Sequence, residues 1–180
     1  DLNQVPLVMR NTTGGQNHTL SLSGGDKKNQ YVFSLGYYVA DGVFRFGPDG
    51  TDRINARLNL TTRFSPVFTL DSRISYTNSE TRASGAGVNG DFGLLYNIYQ
   101  LRTLNPVFLP GSEDTKYAFT TGGSTTYAIL KDGGYVSLQQ NSFNSVFTLK
   151  AENILEGLGL RAVYSPQFRQ SGQNAFIRSI

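Results

Sequence analysis

The chain has 180 residues, enough for one ordinary domain, but only 16% of them are charged and 20 are glycine, against a usual charged share of about 25%. Cysteine is absent, which excludes disulfides, thiolate metal sites and cysteine nucleophiles. The net charge of +3 comes from dispersed basic residues, so no basic stripe predicts nucleic-acid binding. No apolar run approaches the ~20 residues of a membrane helix. The chain opens without a signal peptide, so a membrane protein would require these residues to be a piece of a longer precursor.

The N-terminal part of the chain predicts a connection followed by a hairpin. Residues 1–15 are rich in turn-forming residues and are predicted to be irregular. Apolar and polar residues then alternate over about 16–25 and 29–40, which predicts two strands joined by a short turn. Pairing Leu22 with Tyr31 places the apolar side chains of both strands on one face.

The clearest alternation of the chain predicts a second hairpin, with strands over about 53–64 and 68–78. Successive residues of a strand point to opposite faces, and pairing Phe64 with Phe68 keeps like faces together. The apolar face carries Ile54, Ala56, Leu58, Leu60, Phe64, Phe68, Leu70, Ile74 and Tyr76. The opposite face is polar and rich in guanidinium groups.

The remaining chain predicts a long loop and a third hairpin. Residues 79–140 show no sustained alternation and far exceed the median loop of about 4 to 6 residues. Strands are predicted over about 141–153 and 158–166, with Ala151 opposite Leu160, and no element is predicted for the polar tail that follows. Within the loop, a short helix is predicted from the spacing of Leu94, Leu95, Ile98, Leu101 and Leu104 before Pro106.

The lengths of the connections decide the predicted fold class. All the short turns fall at one end of the antiparallel strands and both long connections at the other, which is typical of an outer-membrane barrel. We therefore expect an all-β fold, in which antiparallel up-and-down strands form part of a large transmembrane β-barrel. Its long extracellular loops would contain the short helix. The alternative is a soluble β-sandwich that serves as a binding or adhesin module.

Two motifs place the chain near a known family. Residues 18–25 match the segment H-x-L-S-x-S-G-G, and residues 53–60 match R-x-N-x-R-x-N-L. Asn105-Pro106 in the long loop and Leu155-Glu156-Gly157-Leu158 before a strand extend the match. On these residues the chain resembles the SusC/RagA family of TonB-linked outer-membrane transporters, over most of residues 16–165.

The resemblance implies TonB-dependent import of a nutrient, a glycan or a peptide, across the outer membrane of a Gram-negative, Bacteroidetes-like cell. Residues 1–15 would connect from a plug domain, and 16–180 would form part of a 22-stranded barrel, with loop 79–140 outside. The implied partners are a SusD-like surface lipoprotein, the remainder of the barrel, membrane lipid, and TonB through regions outside this chain. Neither a cofactor nor a nucleic acid is implied.

Two sets of residues are candidates for function in such a barrel. The first lies on the lumen face, where guanidinium groups would hold the plug or contact a polar solute. It comprises Arg53, Arg57, Arg63, Asp71 and Arg73. The second would recognise a solute or a protein lid through aromatic faces in the outer loop. It comprises Tyr96, Tyr99, Tyr117, Phe119 and Tyr127.

Catalysis is not predicted. His18 is the only histidine and no catalytic motif is present, so a structural role is expected for His18. Asp41, Asp49 and Asp52 lie in and beside a glycine-rich connection. They would suit a calcium site, although aspartate is also an ordinary turn residue and that interpretation is favoured.

Overall fold

The computed structural model describes residues 5–85, 96, 98, 106–112, 116–120 and 123–178. Within these ranges the helices are α1 (Val5–Val8) and α2 (Thr126–Asp132). The strands are β1 (Gly15–Gly25), β2 (Asn29–Asp41), β3 (Gly50–Arg63), β4 (Phe68–Ser84), β5 (Phe119–Thr120), β6 (Gly123–Ser124), β7 (Gly134–Leu155), β8 (Leu158–Tyr164) and β9 (Gln167–Ile177).

One antiparallel sheet contains all the long strands, in the order β1-β2-β3-β4-β7-β8, with β9 also paired to β7. The sheet is open in this chain. β5 and β6 form a separate two-stranded sheet. The described residues contain no second sheet that covers either face of the large one, which contradicts the sandwich alternative.

β8 and β9 lie on the same side of β7 and share one register. Phe147 faces Tyr164, and Asn144 faces Gln167 in continuation. Pro166 interrupts the pairing because it lacks an amide hydrogen. Its carbonyl still accepts hydrogen bonds from the Ser145 amide (3.1 Å) and hydroxyl (3.3 Å). The polar tail is therefore a strand that sequence reasoning missed, because polar residues on both faces hide the alternation of Gln167–Ile177.

The predicted pairings of the second and third hairpins are confirmed. The Phe64 amide donates to the Phe68 carbonyl (3.0 Å) and Ala151 faces Leu160. The prediction for the first hairpin is wrong by two positions, because Leu22 faces Phe33 and not Tyr31. A shift of two keeps every side chain on its predicted face.

Asp26 explains the register of the first hairpin. Its carboxylate accepts hydrogen bonds from the Lys28 and Asn29 amides (2.7 and 2.6 Å), and its own amide donates to the Asn29 carbonyl (2.7 Å). This closes the turn after Gly25, so both strands keep pairing up to Gly25 and Gln30. The hydrogen bonds from Asn29 and Lys28 also lower the pKa of Asp26.

The strands lengthen across the sheet, from 11 residues in β1 to 17 in β4 and 22 in β7. Part of the extra length lies at the long-loop end, where β4 and β7 remain paired as far as Ser84 and Tyr135. The predicted loop bounds of 79 and 140 are therefore wrong, since β4 continues to Ser84 and β7 begins at Gly134. In this part of β7 the apolar residues change faces, because Val136 and Leu138 lie on the face that is polar elsewhere.

The main cluster of buried apolar residues in the described chain, here called the outer core, lies at the long-loop end and outside the strands of the large sheet. Val8, Phe44, Ile98 and Leu130 are each 1% exposed or less. The chain enters β1 from this end. Partly buried side chains that pack on this core are Val5, Met9, Phe46, Tyr127 and Ile129.

The N-terminal segment is more ordered than predicted. α1 places Val8 in the core, the Arg45 amide donates to the Val8 carbonyl (2.9 Å), and Met9 bridges to Phe44. Its apolar residues are too few to show a helical period, so the sequence read as irregular.

Helix α2 was not predicted. The hydroxyl of Thr125 caps it by accepting from the Ala128 amide (3.3 Å). The predicted helix in the same loop falls mostly outside the described residues, although Tyr96 and Ile98 are helical. None of the helices in the described ranges has the length and apolar character needed to cross a membrane.

Candidate functional site

The apolar face of the sheet forms a band that is exposed to its surroundings. Leu20, Leu22 and Leu160 are 59 to 66% exposed, so they do not pack into an interior. One end of the band is an aromatic row, since Tyr76 faces Phe143 and Phe143 faces Phe168. At about 3.3 Å per residue and the ~40° tilt typical of membrane barrels, the strand from Phe68 to Tyr76 would rise roughly 20 Å, close to their ~25 Å apolar band.

Directly beyond the aromatic row, this same face carries a group of polar pairs, and Tyr135 and Phe176 lie farther along it. Asn78 donates to the Asn141 side chain (2.6 Å), the Ser137 hydroxyl donates to Glu80 (2.6 Å), and Arg82 pairs with Asp52. Hydrogen-bonded amides and charges suit water and not hydrocarbon. The change in polarity therefore marks the level at which the outward face leaves the apolar band.

The opposite face contains a groove of about 500 Å³, here called the polar-face groove. Strands β3, β4 and β7 supply its walls. Its lining residues are Arg57, Asn59, Leu60, Thr61, Asp71, Ser72, Arg73, Ile74, Ser75, Asn144 and Val146.

Asp71 is already saturated by neighbours at one end of this groove. Lys150 forms an ion pair with one carboxylate oxygen (2.7 Å), and the Thr61 hydroxyl donates to the other (2.7 Å). Arg57 and Arg73 are both exposed, and neither has an ion pair within the described part of the chain. Among the described residues, the groove thus contains two guanidinium groups that form no ion pair, beside one carboxylate that Lys150 and Thr61 already bind.

The structure brings only some of the predicted lumen residues together. Arg57, Asp71 and Arg73 share the groove. Arg53 lies toward the long-loop end of β3, with its guanidinium 5.0 Å from the centre of the Tyr38 ring, and Arg63 is the last residue of β3. Lys150 was missed, although the alternation of its strand already places it on the polar face.

A second cluster, the outer aromatic cluster, consists of Phe46, Phe108, Tyr117 and Tyr127. Phe108 and Tyr117 occupy opposite positions of an antiparallel bridge, and their rings stack at 5.6 Å. Tyr127, on α2, meets Phe46 edge-on at 5.1 Å and Phe108 at 5.6 Å. The cluster therefore connects three separate segments at the long-loop end of the sheet.

Two of the predicted recognition residues belong to this cluster, namely Tyr117 and Tyr127. Tyr96 is 55% exposed, Phe119 is the first residue of β5, and Tyr99 lies outside the described residues. Phe46 and Phe108 were missed because nothing in their local spacing connects them to the other two rings.

Tyr117 should lose its hydroxyl proton at a higher pH than an ordinary tyrosine. Burial, and then the hydrogen bond that its hydroxyl donates to Asp132, raise the pKa of Tyr117 to about 12 from 10.0. A raised phenol pKa stabilises the fold below pH 10, and this contribution is lost as the pH rises through about 12. We expect the phenolate absorbance difference between the wild type and Tyr117→Phe to rise near pH 12. A difference centred near pH 10 would contradict this environment.

The calcium hypothesis is not supported. Asp41 pairs with Arg10 (3.8 Å), Asp49 accepts from the Phe44 amide (2.7 Å), and Asp52 pairs with Arg82. The three carboxylates thus have separate partners, and the described residues include no group of three acidic or histidine side chains arranged to hold a metal. Asp49 has a turn-forming role.

Comparison with known proteins gives a structural relationship. No protein-family model and no curated protein matches the sequence. A solved structure of the RagAB peptide transporter matches 97% of this chain with a TM-score of 0.72 and 20% sequence identity. The chain has the fold of a transporter-barrel segment.

A second solved structure supports the same conclusion. The RagAB peptide importer in its "closed-closed" state matches 97% of this chain with a TM-score of 0.69 and 18% identity. In both comparisons the chain spans 20% of the other protein's length. At 18 to 20% sequence identity, the structural likeness establishes the fold alone.

Proposed function

We propose that this chain is part of the barrel of a SusC-like, TonB-dependent importer in the bacterial outer membrane. The observation that carries the proposal is the match of nearly the whole chain to a segment of the RagAB peptide transporter. The name of that protein agrees with the SusC/RagA family that the sequence motifs resemble. In this proposal the chain performs no catalysis.

The placement in a membrane is supported by the two faces of the sheet. An apolar band with an aromatic row at one edge suits lipid, and the polar face with its groove suits a wet lumen. The long-loop end, with the outer aromatic cluster, would face the outside of the cell. The short turns would face the periplasm.

Peptides are the nutrients that we propose for this importer, because both solved neighbours are described as peptide transporters. A SusD-like lipoprotein is the proposed partner on the outer side. TonB would act through parts of the protein outside this chain.

The outer aromatic cluster has a supporting role in the proposed recognition. Tyr117 and Tyr127 are only partly exposed, and both rings pack against Phe108. They would therefore shape the outer surface. Tyr96, with 55% exposure, would contact the solute or the lipoprotein directly.

Uptake by the complete protein tests the proposal. A strain that carries the complete gene should take up fluorescent peptides, and an uncoupler of the proton-motive force should stop this uptake. A strain without the gene supplies the control, and a labelled glycan tests the solute class. Equal peptide uptake with and without the gene would contradict import, and uptake that persists with the uncoupler would contradict TonB dependence.

A further inference from the structure

The strongest unexplained feature of the described chain is the charge imbalance of its polar face. As far as Ala151 of β7, where the register becomes irregular, the acidic residue on this face is Asp71, and its carboxylate is occupied by Lys150 and Thr61. Glu152 follows at the short-turn end. The basic residues on the same face are Arg53, Arg57, Arg63, Arg73, Lys150, Arg161 and Arg169.

Arg57 and Arg73 are placed to act together. Arg57 faces Ser75, and Arg73 is the residue two positions before Ser75, so the two arginines are diagonal neighbours on one face. Such neighbours are about 7 to 8 Å apart, a separation that long side chains can bridge around one small anion. Each guanidinium can bind a carboxylate through two parallel hydrogen bonds.

The remaining walls of the groove suit the same ligand. Asn59, Ser75 and Asn144 offer neutral hydrogen-bonding groups beside the two arginines. The Asp71 carboxylate is paired with Lys150 (2.7 Å), and this cation offsets the repulsion between Asp71 and an anion in the groove. A volume of about 500 Å³ holds a small solute or a few side chains.

The geometry points to a carboxylate-binding site formed by Arg57 and Arg73 in the polar-face groove. This inference rests on the proposed function, because the polar face must line a lumen for a solute to reach it. The carboxylate has two possible sources, namely the free C-terminus of a transported peptide and acidic side chains from the rest of the same protein.

The first arm of the test measures peptide binding by the complete protein in detergent. The probes are one tripeptide with a free C-terminus and the same tripeptide amidated. The wild type should bind the free acid tenfold or more tightly than the amide, since amidation removes the negative charge to which the two guanidinium groups donate charge-assisted hydrogen bonds. Arg57→Gln combined with Arg73→Gln should remove this preference.

Arg169→Gln is the matched control. Arg169 lies on the same face as Arg57 but on β9 and outside the groove, so this variant should keep the preference for the free acid. If the double variant fails to fold, Arg73→Gln alone should reduce the preference by several-fold.

The second arm measures the passive ion conductance of the complete protein in planar bilayers. If acidic side chains of the same protein occupy the site, the double variant should increase conductance and leave the peptide preference unchanged. If the double variant alters neither peptide preference nor conductance, the carboxylate site is overturned. If the complete protein imports no peptide in cells but the double variant increases conductance, the proposed function fails and the carboxylate site stands.

Discussion

Replacing Leu58 with arginine is expected to destabilise the complete barrel by about 2 to 4 kcal/mol, the cost of a cationic side chain at the middle of a lipid-facing strand. Leu58 faces Phe33 on one side and Ile74 on the other, so it lies within the apolar band. The free energy of unfolding should be measured by urea titration of the complete protein in lipid vesicles.

Asn55→Arg provides the control for this substitution. Asn55 lies three positions away on the same strand, is exposed on the opposite face and faces the neutral residues Gly36 and Thr77. An arginine there meets water and should change stability by less than about 1 kcal/mol. Equal losses for the two variants would show that the faces do not have different surroundings.

Replacing Phe44 with alanine is expected to destabilise the outer core by about 3 to 5 kcal/mol, since the buried ring is lost and a cavity is left. Phe44 is 1% exposed and packs with Val8, Ile98 and Leu130. These residues come from four separate segments, so the loss should loosen α1, residues 42–49 and α2 together. Hydrogen exchange of the complete folded protein measures this loosening segment by segment.

Val43→Ala is the matched control in the same segment. Val43 is 40% exposed, so its replacement should cost less than about 1 kcal/mol and leave exchange in α2 unchanged. If Phe44→Ala increased exchange only next to residue 44, the outer core would not be a cooperative unit.

The sequence predicted the sheet well where one face was apolar and the other polar. The hairpin that pairs Phe64 with Phe68 follows directly from alternation, because a slip of one residue would exchange the two faces. A slip of two leaves the faces unchanged, so alternation could not fix the register of Leu22. The hydrogen bonds of Asp26 fixed it.

Prediction failed where the surroundings of the strands change. In β7, Val136 and Leu138 lie on the face that is polar at Asn144 and Lys150, and this reversal hid the outer parts of β4 and β7. The outer core was equally hidden. Val8, Phe44 and Leu130 are far apart in sequence, so no local pattern connects them.

The sequence predicted only those features of the candidate groove that follow from alternation within a hairpin. Alternation places Arg57, Asp71 and Arg73 on one face, and the register of β3 on β4 brings them together. The ion pair between Lys150 and Asp71 depends on the pairing of β4 with β7, two strands separated by the long loop. Local sequence does not specify that pairing.

The central claim is that the apolar face of the sheet contacts lipid and the polar face contacts water. Because this chain contains no cysteine, single cysteines can be introduced along β4 at Leu70, Asp71, Arg73 and Ile74 and labelled with a fluorophore. We predict that a quencher dissolved in the lipid acts on the labels at 70 and 74, and that a quencher dissolved in water acts on those at 71 and 73. The opposite assignment, or equal quenching at all four positions, would contradict the account.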